Sequence, residues 1–435
     1  MFGLGSKRNT DVEGVAPPPA LTTFCASALS REPGALEALH AAVGESQRCD
    51  VLSDDQLAQA PLRASYVLSL FIEPSRLDAL ADHVIAAREG GAATVLIIAI
   101  RGDQLSELGA WLHRRASGDR LQGVRLILAS NPETVAQQLP ARMVPVPESN
   151  VIRMPVTSEV ETPEFKNFFV FSPELQALVA RIRGYAQNGI SRTYLLGGPG
   201  SGKTTLAYYY FLVRKRGKFV SVNLAAENTG DKAAVKSLLC GHVSGAFPGA
   251  GARTGAFTHA RDGVCFIDES HGMSGAVMET LMEALDNGQY LPFGASSKQP
   301  LECALLFATN RSWTHLQNSV NLDEFTRLGA ATLSVPELNR REEDMIAVAA
   351  TTLAKLGSKC TSWKAPAGLS DEAWTLIREC RWHGNIRGLV RTLEAAFVET
   401  ASTGAGALIP DTAIAQGIAL WEPKTHHSHQ IYAAA

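Results

Sequence analysis

The chain has 435 residues, 46% of them apolar and 19% charged, which excludes a wholly disordered polymer and leaves enough apolar material for more than one core. Lys and Arg number 40 against 43 Asp and Glu, and the formal net charge of −3 excludes a global pull toward nucleic acid. At roughly 100–200 residues per domain, the length predicts two or three domains.

Residues 1–20 combine Lys7, Arg8, Asp11 and Glu13 with Pro17, Pro18 and Pro19 and have no apolar stretch, so they read as a flexible tail rather than a secretory signal. No apolar run approaches the roughly 18 residues of a membrane span. The cysteines, Cys25, Cys49, Cys240, Cys265, Cys303, Cys360 and Cys380, are scattered without a CxxC pair. That pattern predicts reduced thiols in a cytoplasmic protein.

Between residues 21 and 142, short apolar runs at 21–27, 49–53, 66–72, 93–100 and 124–129 alternate with amphipathic stretches at 35–43, 75–88, 105–115 and 132–139. Five such units predict a parallel sheet with helices on both faces, similar in pattern to a receiver-type, flavodoxin-like domain. The ends of its first, third and fifth runs read Cys25-Ala26-Ser27, Leu70-Phe71-Ile72-Glu73 and Ala129-Ser130-Asn131. They lack the carboxylate set that would hold magnesium for phosphotransfer, so a degenerate regulatory domain is expected.

Residues 143–164 contain Pro145, Pro147, Pro155 and Pro163 and read as an extended linker. A second α/β domain is expected over 165–338, a small helical lid over 339–402, and a tail over 403–435. The tail shows weak periodicity, three His (His426, His427 and His429) and no pair of amphipathic helices for reading DNA.

The strongest motif lies in the second domain. Gly197-Gly198-Pro199-Gly200-Ser201-Gly202-Lys203-Thr204 fits G-x-x-x-x-G-K-[ST] between an apparent strand and a helix beginning near Thr205. Glycines let backbone N–H groups close around phosphates, and the helix N-terminus adds positive potential. Lys203 is expected on the β- and γ-phosphates of ATP and Thr204 on Mg2+. About 65 residues on, an apolar run ends in Asp268 and Glu269, expected respectively to hold the metal's water shell and to act as general base toward the attacking water. Another run ends in Ala308-Thr309-Asn310, where Asn310 is placed to sense the γ-phosphate.

From about residue 168 to 397 the chain resembles the AAA+ ATPase of bacterial enhancer-binding proteins, the activators of sigma-54 RNA polymerase. Phe219-Val220-Ser221-Val222-Asn223 is similar to the family strand whose Asn restrains the general base. Gly245-Ala246-Phe247-Pro248-Gly249-Ala250 resembles the family's GAFTGA surface loop, and 272–294 the helix and second loop that move with it. The segment 321–328, with Arg327, resembles the arginine-finger segment, and 382–387, with Arg387, the sensor-2 motif.

The resemblance implies a cytoplasmic ATPase that binds ATP and Mg2+. Its ring is a homo-hexamer, or a mixed ring with a related ATPase, that drives the 245–250 loop against the closed promoter complex. Arg327 acts from the neighbouring subunit and Arg387 within the chain, each meeting charge that develops in phosphoryl transfer. Three positions depart from the family. Pro248 replaces the loop Thr, Asn321 stands where an Arg is common, and 403–435 lacks a helix-turn-helix, so contact with DNA is expected only through a partner. These departures keep two alternatives open: a remodelling ATPase with another protein client, and an ATP-binding switch or antagonist.

Overall fold

The alternation of short apolar runs with amphipathic stretches produces two five-stranded parallel sheets in the computed structural model, which describes residues 21–25, 29–44, 48–60, 62, 65–156, 164–223, 232–270, 275–319, 331–404 and 406–423. The first sheet uses Leu21–Cys25, Arg48–Leu52, Ser65–Leu70, Val95–Ile100 and Val124–Leu128 in the spatial order second, first, third, fourth, fifth. This is the flavodoxin-like order, whose switch point lies between the first and third strands. Val95–Ile100 is buried along its whole length, as a central strand covered on both faces must be.

The second sheet is ordered Ala331–Ser334, Arg192–Leu196, Ala304–Thr309, Val264–Asp268, Phe219–Asn223. The strand feeding the glycine-rich loop is thus flanked on one side by the strand that ends at Thr309, and the next strand over ends at Asp268. All three chain ends rise at one edge.

Two expectations need correction. The segment 143–164 is not a free linker. Val151–Val156 pairs antiparallel with Glu164–Phe169, from Val151 opposite Phe169 to Val156 opposite Glu164. Its approach is fixed by the buried Asn150, whose side chain accepts from Val124 N (3.0 Å) and donates to Val124 O (3.0 Å) and Val170 O (3.2 Å). Prolines at 145, 147 and 155 did bias the segment to extended backbone, and extended backbone is what a hairpin needs.

Nor is 403–435 wholly a tail. Leu408–Ile409 pairs with Gly368–Leu369, and Asp411–Trp421 is a helix that buries Ala413, Ile414 and Gly417 against the lid. The apolar stripe is made of small residues, which is why its periodicity is weak in sequence. His426, His427 and His429 lie outside the described residues, as does 1–20.

The N-terminal α/β domain and the C-terminal helical segment share a hydrophobic core. Leu105, Leu108, Trp111 and Leu112 of the helix Leu105–Ser117 pack into one cluster with Met345, Ile346, Ala349 and Leu353 of the lid helix Glu342–Lys359. The helices approach so closely that a Cβ on Gly109 would sit 1.9 Å from the Ala350 carbonyl oxygen. Polar contacts reinforce the contact. Arg125 pairs with Glu343 at 3.3 Å with both side chains buried, Leu126 N donates to Glu343 Oε2 at 3.0 Å, and Arg142 pairs with Glu342 at 2.8 Å. Among the described residues, no helix is long and apolar enough to cross a membrane.

Candidate nucleotide site and surface loop

The glycine-rich loop leaves the strand Arg192–Leu196 and enters the helix Lys203–Arg214. Gly202, just before Lys203, has φ +103°, a conformation that L side chains rarely adopt, and a Cβ there would meet the Phe168 ring at 2.2 Å. Lys203 is the first residue of the helix. Its ammonium donates to Gly197 O (2.8 Å) and Gly198 O (3.1 Å) and lies inside the curl of the loop. Burial pulls this ammonium below its usual value, while the neighbouring Asp268 and Glu269 carboxylates pull the other way and Arg387 adds to the lowering. Lys203 therefore shares one electrostatic environment with all three.

Asp268 ends its strand opposite Asn223 of the neighbouring strand. Its Oδ1 accepts from the backbone N of Glu269 at 2.9 Å. Glu269 itself has φ +53°, left-handed backbone that a non-glycine residue adopts at a cost of about 1–3 kcal/mol. Such strain at the end of a strand turns the Glu269 side chain out of the strand's alternation, so two consecutive carboxylates need not point to opposite faces. Thr309 O accepts from Gly197 N at 3.2 Å, which puts Asn310 beside the start of the loop. Thr204 is half-buried on the helix's first turn. The Thr205 hydroxyl lies 3.9 Å from Met154 Sδ, on the side of the 151–169 hairpin.

The lid closes the opposite side. A Cβ on Gly200 would meet Gly384 O at 2.5 Å and Arg387 Cβ at 2.9 Å, so the sensor segment lies directly on the loop. Two residues that sequence reasoning did not single out tie it there. Asn385 donates to Pro199 O at 3.2 Å and accepts from Leu338 N at 3.1 Å. Arg341, fully buried, pairs with Asp344 at 3.1 Å, reaches Ser201 O at 3.4 Å and stands 5.6 Å from the centre of the Phe168 ring. Neither role has a local signal in the sequence, because each depends on partners more than a hundred residues away. Asn321 and Arg327 lie outside the described residues.

The loop 245–250 projects from the ribbon of Gly241–His242 and Arg253–Thr254. Phe247 O accepts from Ala250 N at 3.0 Å, with Pro248 and Gly249 (φ +78°) between them. Pro at the second position and a glycine of positive φ at the third are what a type II turn demands. The Phe247 ring is 42% exposed and rests 4.9 Å from His242 and 6.3 Å from Phe293, measured between ring centres. Phe293 is itself clamped to the ribbon by Val243 N to Phe293 O (3.1 Å) and Phe293 N to Gly241 O (2.9 Å). A projecting aromatic tip is therefore braced by a second loop rather than free.

Residues 168–334, which contain the phosphate loop, the paired carboxylates and the Phe247 loop, match the family model of the Sigma-54 interaction domain. The central module is similar in sequence to a Sigma-54 interaction domain. Curated relatives similar to the chain include the Nif-specific regulatory protein of Herbaspirillum seropedicae, 31% identical over 52% of this chain and 42% of that one. The nitric oxide reductase transcription regulator NorR2 of Cupriavidus necator is 31% identical over 54% of this chain and 46% of its own length. The regulatory protein LuxO of Vibrio cholerae is 30% identical over 54% and 51%. The chain thus spans about half the length of the curated relatives it matches. The matched segment is preceded in the chain by the first parallel sheet and followed by the helical segment 339–402.

Proposed function

We propose that the chain is an AAA+ ATPase that activates sigma-54-dependent transcription, using ATP hydrolysis in a hexameric ring, or in a mixed ring with a related ATPase, to drive the Phe247 loop against the closed promoter complex. The observation that carries the reading is a glycine-rich loop that folds around the Lys203 ammonium with the Arg387 segment lying directly on it, in a domain that also presents an exposed, braced Phe247.

The residues suit a magnesium nucleotide. The loop is a cradle that a side chain at Gly200 or Gly202 would fill. The Thr204 hydroxyl and Asp268 carboxylate are hard oxygen donors of the kind that bind Mg2+. When bound, the ion offsets negative charge on the phosphates. The loop from Gly197 to Thr205 wraps the phosphates, with backbone N–H groups of Gly200, Gly202, Lys203 and Thr204 as donors since Pro199 has none, and Lys203 exchanges its two carbonyl contacts for phosphate oxygens. Glu269 takes the proton of the attacking water. Asn223, opposite Asp268, restrains Glu269, and Asn310 reads the γ-phosphate. Arg387 meets the charge that develops on the transferred group, and Arg327 does so from an adjacent subunit.

A second reading has the same motor acting on another protein client. Pro248, lacking both hydroxyl and N–H at the loop tip, favours it. The test is open-complex formation by sigma-54 polymerase on closed and premelted promoters with the purified chain and ATP. ATP-dependent opening supports the first reading, and hydrolysis without opening supports the second.

A further inference from the structure

The carboxyl edge of the regulatory sheet carries two adjoining cavities that the ATPase reading does not use. They lie where the order of strands reverses, between the first and third strands, the position at which open α/β sheets bind ligands. One is apolar, about 150 Å3, and lined by Cys25, Leu57, Ile72, Leu77, Leu80 and His83. A cavity of that size holds one benzene-sized ring. The other is polar, about 190 Å3, and its lining includes Arg31, Arg76 and Arg101 together with Glu32 and Glu73. Ile72 and Arg76 line both, so an apolar chamber opens beside a polar one that holds three arginines and two glutamates.

The wall between them is built, not incidental. Phe71 has φ +52°, a strained conformation for an aromatic residue. It is held by Phe71 N to Ala99 O (2.8 Å), by Gln104 Nε2 to Phe71 O (3.2 Å), and by the Arg101 guanidinium 4.0 Å above its ring. Arg101 also pairs with Glu32. The fold thus spends backbone strain at the place where a receiver-like sheet would carry its reactive carboxylate, and fills that place with an apolar chamber and arginines.

The geometry points to a binding site for a small organic monocarboxylate with a ring-sized apolar body, the ring in the Leu77–His83 chamber and the carboxylate on Arg76. Arg is suited to this because its planar fork donates two parallel hydrogen bonds to a carboxylate.

The site is wired to the lid. The segment that lines it continues into Ser75, whose N donates to Glu107 Oε1 at 3.0 Å, and Asp78, which accepts from Trp111 Nε1 at 2.9 Å. Glu107 and Trp111 belong to the helix whose Gly109 abuts Ala350 of the lid, and that lid helix begins beside Arg341, which touches Ser201 of the phosphate loop. A ligand that shifts 72–78 therefore bears on the lid, a consequence that rests on the ATPase reading, whereas binding itself does not.

The test is calorimetric titration of the full chain, without nucleotide, with benzoate and with cyclohexanecarboxylate. Benzyl alcohol and inorganic phosphate serve as probes of ring and charge alone. Saturable one-to-one binding of a carboxylate is expected, weakened about ten-fold or more in Arg76→Gln and in benzyl alcohol, as loss of a charged hydrogen bond requires. Ala79→Phe, which blocks the apolar chamber at its rim, abolishes it. No saturable binding of either carboxylate overturns the site, as does undiminished binding in both variants. Phosphate binding as tightly as the carboxylates overturns the ring half of the assignment. With ligand bound, ATP turnover changes at least two-fold. Binding without that change, in a chain that hydrolyses ATP, overturns the wiring and leaves the ATPase reading intact.

Discussion

Arg125 of the regulatory sheet and Glu343 of the lid helix form a 3.3 Å ion pair with both side chains at most 1% exposed. It joins two segments 218 residues apart, and Arg125 also donates to the Phe171 carbonyl at the start of the ATPase domain. Removing one partner of such a pair leaves the other charge buried, which costs about 3–5 kcal/mol. Arg125→Ala is therefore expected to lower the thermal unfolding midpoint sharply at pH 8, and Arg125→Met with Glu343→Leu to recover most of it. A single variant as stable as the double would contradict the buried pair.

The same carboxylate gives a pH dependence of definite sign. Burial, outweighing Arg125 and Arg142, pushes the Glu343 carboxyl from its ordinary 4.5 up to about 7. Between those values the folded chain holds a proton that the unfolded chain has lost. The contribution to stability is complete below about 4.5 and declines as pH rises through about 7. Unfolding midpoints measured from about pH 5 to about pH 8 should fall, and Glu343→Gln should flatten that slope.

Gly109 sits where two helices touch backbone to backbone. Gly109→Val must push the regulatory helix off Ala350, at a cost of about 1–3 kcal/mol of overpacking. Denaturant unfolding would register the loss. If the lid contact carries regulation, the nucleotide affinity of the variant shifts as well, because the displaced helix leads to Arg341 and Ser201.

In the nucleotide pocket, Lys203→Ala should abolish binding of a fluorescent ATP analogue. Glu269→Gln should retain binding while turnover drops by about 10²–10⁴, the usual contribution of a general base. Unchanged phosphate release in Glu269→Gln would remove Glu269 from that role. Mixing Arg327→Ala subunits with Glu269→Gln subunits should restore partial turnover, since intact pockets form only across mixed interfaces.

Pro248→Thr tests the loop. A type II turn closed by Ala250 N to Phe247 O with Gly249 at positive φ also admits Thr at 248, and the site lies in the surface loop rather than the nucleotide pocket, so ATP turnover should stay within about two-fold of the parent. Open-complex formation with sigma-54 polymerase should rise. A fall would mean that the proline itself makes the productive contact.

Much of this arrangement is legible in the residues. Short apolar runs marked both parallel sheets, and the glycine-rich loop with its downstream Asp268 and Glu269 marked the pocket, because each element is specified within a few neighbours. What was not legible depends on distant partners. The lid helix buries six consecutive residues, Met345 to Ala350. A helix apolar on every side is one covered on every side, but sequence alone does not say that the second cover is the regulatory domain. The Asp411–Trp421 helix escaped notice because its buried stripe is Ala413, Ile414 and Gly417, too small to dominate a periodicity. The strained backbone at Glu269 and Phe71 has no local signature, since neither residue type favours it.

The closed turn at Phe247–Ala250 bears on what the loop meets. A flexible tip must surrender chain entropy on contact, whereas a proline-locked one arrives already shaped. Such a tip discriminates by fit: a surface that does not match Phe247 cannot recruit the loop by bending it, so a loop of this kind narrows the range of surfaces it can meet as its hold on the right one tightens.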